Sequence, residues 1–117
     1  MIDMTSQLPF NSDKAFNYLV QNGKVYTLRT KTNHSGLKVI TRNGEKQFHA
    51  DVTFEATIDA VYSTLSKKFA YASNLDYYVK QSGFDSVQEW LSECKNKFHE
   101  DFSQIRFLYL YLVVKKT

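Results

Sequence analysis

The residues of this sequence best suited to chemistry lie on one short stretch: Lys24, Thr27 and Arg29, with Lys31 two positions further on. Lysine and arginine neutralise phosphate, and arginine does so with a planar, two-pronged set of donors. A threonine hydroxyl donates and accepts at once. Residues 24–46 hold six Lys or Arg (Lys24, Arg29, Lys31, Lys38, Arg42, Lys46) against one acid, Glu45, a net of +5 where the whole chain is +3. Such a segment is the electrostatic footprint of a nucleic-acid face if its side chains point one way. It is also the composition of a solvated sheet edge, where lysines deter strand-to-strand association. Each residue carries the same pair of readings. Lys24 contacts a phosphate or base, or it is a solvated lysine near the C-terminal end of a helix, worth ~0.3–1 kcal/mol. Arg29 clamps a phosphate, or it pairs across a hairpin with Asp51 or Glu55. Thr27 bonds a ligand, or it simply suits a strand.

Other chemistries find less support. His34, His49 and His99 are far apart and Cys94 is the single cysteine, so no metal-ligand spacing is present and no metal or cofactor is expected. The same scatter shows no Ser–His–Asp or Cys–His signature, although such triads assemble in space rather than in sequence. His34, in a polar loop, is the histidine best placed to reach a cleft. Gly36 and Gly44 are isolated turn glycines and do not form a phosphate-cradling loop. Among aromatics able to stack a base, Tyr77 lies off the core-facing period and Trp90 on it, which assigns Trp90 to the core.

The elements that must hold these residues follow from periodicity. Residues 1–9 read as an irregular lead-in. Asn11 or Ser12 caps a helix with Ala15, Phe16, Leu19 and Val20 on one side, and Asn22-Gly23 ends it. Strands over 25–31 and 37–42 follow, and Asn43-Gly44 signals a hairpin. In the returning strand Phe48, Ala50, Val52, Phe54, Ala56 and Ile58 alternate with polar residues, so one face belongs to the core. Val61, Tyr62, Leu65 and Phe69 suggest helical turns; Leu75, Tyr78 and Val79 suggest a second helical segment closed by Ser82-Gly83. Ser86-Val87-Gln88-Glu89 is a capping box opening a helix with Val87, Trp90, Leu91, Cys94 and Phe98 on its apolar stripe. Residues 105–114 are apolar on both faces, as in a central or barrel strand, and Lys115-Lys116-Thr117 is a solvated end. These elements imply an α+β fold, a small, mostly antiparallel β-barrel with flanking helices. At 117 residues and 43% hydrophobic content the chain suits one domain. No basic-then-apolar leader and no ~20-residue apolar run is visible, so no membrane association is expected, and the lone cysteine fits a reducing, cytoplasmic compartment.

The order of elements and two motifs resemble the ASCH domain family of the PUA-like superfamily. The first motif is a helix ending in glycine, then Lys-x-x-Thr-x-Arg: Gly23, Lys24, Thr27 and Arg29. The second is Gly-Phe-Asp-Ser-x-x-Glu-Trp: Gly83, Phe84, Asp85, Ser86, Glu89 and Trp90, followed by the apolar terminal strand. The likeness spans about residues 10–114 of a single domain, 1–117. It implies a PUA-like barrel with a cleft beside the Lys-Thr-Arg strand, binding RNA or a modified nucleoside through Lys24, Thr27, Arg29, Lys31 and Ser82. Some members of the family are hydrolases that remove acetyl from N4-acetylcytidine, and at least one is a ribonuclease. The amidohydrolases use a lysine, a threonine and a glutamate; Lys24 and Thr27 match the first two. Ser82 stands at the third position, where a hydroxyl offers hydrogen bonds but no carboxylate charge. Three functions are therefore weighed: an RNA- or nucleotide-binding domain, a hydrolase with Lys24 and Thr27 as catalytic residues, and a protein-interaction module using the tyrosine-rich 71–78 segment.

Overall fold

The computed structural model describes residues 6–98 and 102–116. The chain forms β1 (Gln7–Pro9), α1 (Asp13–Asn22), β2 (Lys24–Arg29), β3 (Gly36–Arg42), β4 (Glu45–Ser63), β5 (Lys68–Tyr71), α2 (Leu75–Tyr78), a 3₁₀ turn (Val79–Gln81), α3 (Val87–Phe98) and β6 (Arg106–Lys115). Together they make an α+β fold. Its sheet is mixed and mostly antiparallel, in the order β1-β3-β4-β6-β2, with β5 added to β4. β1 runs parallel to β3, and every other pairing is antiparallel. The sheet is open, with β1 and β2 at its two edges and no ladder between them among the described residues. A closed barrel is therefore not formed, but the edges approach each other where Arg29, at the end of β2, donates from Nη1 to the Pro9 carbonyl at the end of β1 (2.5 Å).

Local chemistry accounts for most boundaries. Ser12 caps α1 by accepting from the Ala15 N–H, and Gly23 ends it in the left-handed conformation (φ 80°) with its N–H on the Leu19 carbonyl. Asn43 and Gly44 both have positive φ (51° and 81°), the geometry of a two-residue turn whose twist matches the strands it joins. Ser86 Oγ accepts from the Glu89 N–H, which is the hydroxyl half of the capping box, while the Glu89 carboxylate pairs with Lys14 of α1. Val87, Trp90, Leu91 and Cys94 are all buried, as the helical period requires. β6 lies between β4 and β2 and buries residues of both parities, Leu108 and Leu110 as well as Tyr111 and Val113, so protein covers both its sides.

Three expectations are corrected. Residues 61–69 are not helical: β4 runs on to Ser63 and returns as β5, because the period-2 pattern of Ile58, Ala60 and Tyr62 continues to the turn. That turn is closed by the Lys67 N–H on the Ser63 carbonyl, with Lys67 at φ 57°. The stretch before Phe10 is not wholly irregular either, since Gln7–Pro9 forms an edge strand and its proline sits at the strand's end. Residues 1–5 of that stretch, and Thr117 of the solvated end, lie outside the described residues. Finally, the alternation of β4 does not hold Phe54 in the core; a bulge between Phe54 and Ala56 shifts the register against β6 and leaves Phe54 exposed.

Candidate anion-binding site

Strand parity divides the Lys-Thr-Arg stretch. Successive β2 side chains point to opposite faces, so Thr27 and Arg29 share one face, while Lys24, Tyr26 and Leu28 share the other. Lys24 is exposed and stands five residues from Arg29, about 16 Å along the strand at ~3.3 Å per residue. Tyr26, its neighbour in parity, packs edge-on against Tyr78, which meets the exposed Tyr77. Thr27 and Arg29 are both buried and face a cavity.

That cavity, about 40 Å³, lies between the start of α1, β2 and one side of α3. Phe10, Phe84, Trp90 and Phe98 supply apolar wall; Asn11, Ser12 and Thr27 supply polar groups; and Arg29 and Lys97 stand against Glu93, a net of +1. Gly83 sets the wall's position. A Cβ there would lie 2.4 Å from the Lys14 carbonyl oxygen, so only glycine lets the Phe84 turn seat against α1. Phe84 then stacks on Trp90 (centroids 6.5 Å apart).

Arg29 is the unusual member. Its relative exposure is 9%, and it has no carboxylate within ion-pair distance among the described residues. The guanidinium lies over the Phe10 ring (4.8 Å) and gives Nη1 to the Pro9 carbonyl. Its Nε is buried without a hydrogen-bond partner. Burial pushes its pKa down to about 10, which leaves it fully charged at neutral pH. A buried charge is costly unless paired, so a cation with no acidic partner among the described residues, beside a cavity, is a candidate contact for an anion. Neither Asp51 nor Glu55 is its partner, contrary to one sequence reading; Asp51 pairs instead with Lys116 (3.0 Å).

A second cavity of about 190 Å³ adjoins the first, sharing Arg29 and Phe98 and adding Leu8, Pro9, Thr30, Lys31 and Asn33. Its charged groups, Arg29 and Lys31, are both cations. The loop that forms its rim is held by Tyr111, a fully buried side chain whose hydroxyl accepts from the Asn33 N–H (2.6 Å) and donates to the Asn33 carbonyl (3.1 Å).

The structure thus unites Thr27, Arg29 and Lys31 and leaves Lys24 and Ser82 apart. Ser82 is fully buried inside its own turn; its hydroxyl donates to the Val79 carbonyl and accepts from the Phe84 N–H. Two of the remaining cations of residues 24–46 are engaged elsewhere. Lys38 is buried on Ser6 Oγ (2.7 Å), and Arg42 pairs with Asp13 and donates to the Phe10 carbonyl (3.1 Å). His34 is exposed and lines neither cavity. Trp90 is core, as its period indicated. Cys94 faces the first cavity, but burial pushes its thiol up to about 12, so it is protonated and unreactive at neutral pH. Among the described residues no three His, Cys, Asp or Glu side chains converge as metal ligands would, and no helix is long and apolar enough to cross a membrane. His99 lies outside the described residues.

Sequence reasoning missed Asn11, Ser12, Asn33 and Lys97. Ser12 was visible as a helix cap, but nothing local linked that cap to a strand fifteen residues later. No protein-family model matches the chain, and no solved structure matches it. The chain is similar to Uncharacterized protein 105 of Sulfolobus islandicus rod-shaped virus 1, 35% identical over 94 residues that cover 79% of this chain and 77% of the viral protein.

Proposed function

We propose, for a chain that belongs to the same family as protein 105 of that rod-shaped virus, that it binds an anionic, nucleotide-like ligand, RNA included, through Arg29. One observation carries the reading: a guanidinium buried without a carboxylate partner among the described residues, its Nε unbonded, at the junction of two cavities. An anion placed there gains charge-assisted hydrogen bonds from a donor already desolvated and held in place by the protein. Thr27 and Ser12 add hydroxyl donors in the first cavity, and Lys31 adds charge in the second. The ASCH and PUA-like resemblance supports a nucleotide-like ligand over other anions, and on this reading the open sheet, pinned edge to edge by Arg29, is an incompletely closed relative of that barrel. A cytoplasmic location goes with the same proposal.

Binding is preferred to hydrolysis because Lys24, the lysine that would act with Thr27, stands on the opposite face of β2. A nucleophile and its support must lie within hydrogen-bond reach. The direct test is titration of a short single-stranded RNA and of a nucleoside monophosphate into the parent protein and Arg29→Met. The parent is expected to bind and the variant to bind at least about tenfold more weakly, the loss of one charge-assisted contact. Equal affinity for parent and variant overturns the proposal.

A further inference from the structure

Beside Arg29 the sheet presents aromatic rings to solvent. Residues directly opposite each other in an antiparallel ladder turn their side chains to the same face. Arg29 on β2, Tyr109 on β6 and Thr57 on β4 therefore stand in one row. Thr27, Tyr111 and Phe54 form the row on one side of it, and Phe107 with Asp59 the row on the other. The opposite face of β6 is closed at this point, since Leu108 and Leu110 are fully buried. On the Arg29 face Phe107 is 54% exposed, Phe54 is exposed and Tyr109 is half-buried. Phe54 meets the buried Tyr111 edge-on (5.7 Å), which confirms that the two share this face. Single exposed apolar side chains are ordinary, whereas rings in adjoining rows of one face mark a candidate interaction surface.

We infer that this face is a stacking platform for single-stranded nucleic acid: bases lie on Phe107 and Tyr109, and the sugar-phosphate backbone passes to Arg29 and Lys31. The inference rests on the anion-binding reading above and deepens it. Three observations select this occupant. The first is charge. Arg29 stands one strand from Tyr109, about 5 Å between backbones. The loop after β2 brings exposed Lys31 to the same side, because Tyr111 holds Asn33 and the Phe54 N–H donates to Ser35 Oγ (3.1 Å). Asp59 is the opposing acid in these rows, and it stands opposite Phe107, in the row beyond Arg29 and Tyr109. The second is chemistry. Every base has a π-face, so aromatic side chains beside a cationic track hold a strand whatever its sequence. The third is spacing. Phe107 and Tyr109 are two residues apart on one strand, about 6.8 Å. That is twice the ~3.4 Å per nucleotide along a duplex strand, so a strand that reaches both rings is drawn out and unpaired.

The experiment titrates a short oligoadenylate, its deoxy counterpart and an abasic deoxy strand of equal length and charge into the parent protein, Phe107→Leu, Phe107→Trp and Arg29→Met. The parent is expected to bind the base-bearing strands about 5–100-fold tighter than the abasic one, the range for stacking on an aromatic side chain. Phe107→Leu keeps an apolar side chain but removes the ring, and it cuts that advantage about fivefold or more while abasic binding stays as it was. Phe107→Trp keeps the advantage. Arg29→Met weakens base-bearing and abasic strands alike. Tighter binding of the ribo strand identifies RNA as the ligand, and equal binding of the ribo and deoxy strands identifies a platform blind to the sugar; both support the inference. Equal binding of base-bearing and abasic strands by the parent overturns the platform, as does an advantage that survives in Phe107→Leu. If Arg29→Met still weakens binding in either case, the anion site stands. Failure of every strand to bind the parent overturns both.

Discussion

Arg29 sets the stability of the fold against the anion binding proposed for it. A cation taken from water and left without a counter-ion costs several kcal/mol, and Arg29, with none among the described residues, has that cost only partly offset by the Pro9 carbonyl and the Phe10 ring. Arg29→Met keeps much of the volume and removes the charge, at the expense of one hydrogen bond. The unfolding free energy is therefore expected to rise by on the order of 1–2 kcal/mol, and the thermal or denaturant midpoint with it, while ligand affinity falls. A variant that loses both stability and binding would show that the guanidinium is a structural strut. Tyr111 is the second informative side chain. Its hydroxyl makes both bonds to Asn33, so Tyr111→Phe is expected to cost about 1–3 kcal/mol, and it frees the rim of the larger cavity. Lys24 and Arg29, two basic residues of one motif, have different surroundings because five positions of strand place them on opposite faces.

Among the elements, the turn before α3 controls the site more than its short length suggests. Gly83 has φ +90° and no room for a Cβ against the Lys14 carbonyl, whereas Gly44, at φ +81°, has open space around it. Both glycines to alanine incur the left-handed penalty of about 1 kcal/mol. Gly83→Ala must also push α1 and α3 apart. Equilibrium unfolding is expected to show Gly83→Ala destabilised by about 3 kcal/mol or more, and Gly44→Ala by about 1; similar losses would mean the α1–α3 contact is slack. The β4–β5 hairpin depends on a side chain in place of a neighbouring strand. Gln88 of α3 donates to the Phe69 carbonyl (2.9 Å) and accepts from the Phe69 N–H (2.8 Å), satisfying both groups on the outer edge of β5. In Gln88→Ala, amide hydrogen exchange over residues 68–71 is expected to speed up while that of β6 is unchanged. Unchanged exchange at Phe69 would place the hairpin's stability elsewhere.

The molecule is elongated, 53 × 25 × 24 Å, with a radius of gyration of 14.3 Å against about 13 Å for a compact chain of this length. The nineteen-residue β4 sets that length, and the hairpin extending from it carries Leu65, 97% exposed, at its tip. The stability of the whole fold is tied to alkaline pH through the buried Cys94 and two half-buried tyrosines. Burial raises the Cys94 thiol from 9.0 to about 12 and also raises Tyr26 and Tyr71 above 10.0. Each such group binds its proton more tightly when folded. Its stabilisation is complete below the unfolded pKa and is lost as pH rises from there toward the folded value. Unfolding free energy is thus expected to decline from about pH 9, by roughly 1 kcal/mol at pH 10 from Cys94 alone. Cys94→Ala flattens that decline, and an unchanged slope in the variant would remove Cys94 as its source.

The local vocabulary of this protein is written in adjacent residues. The Ser12 cap, the Gly23 stop, the Asn43-Gly44 turn and the Val87–Cys94 stripe each depend on neighbours within a few positions, and each forms where its spacing indicates. The switch from turn to hairpin at Ser63–Lys67 and the bulge at Phe54–Ala56 depend on what β4 pairs with, which no short window contains. The site is further removed still. Arg29 acquires its character from Pro9 and Phe10, twenty residues before it, and from Cys94 and Lys97, more than sixty after it, brought in when the helices close over the sheet. Charge is a property of a residue, but the absence of a counter-charge and the shape of the space beside it belong to the packed chain.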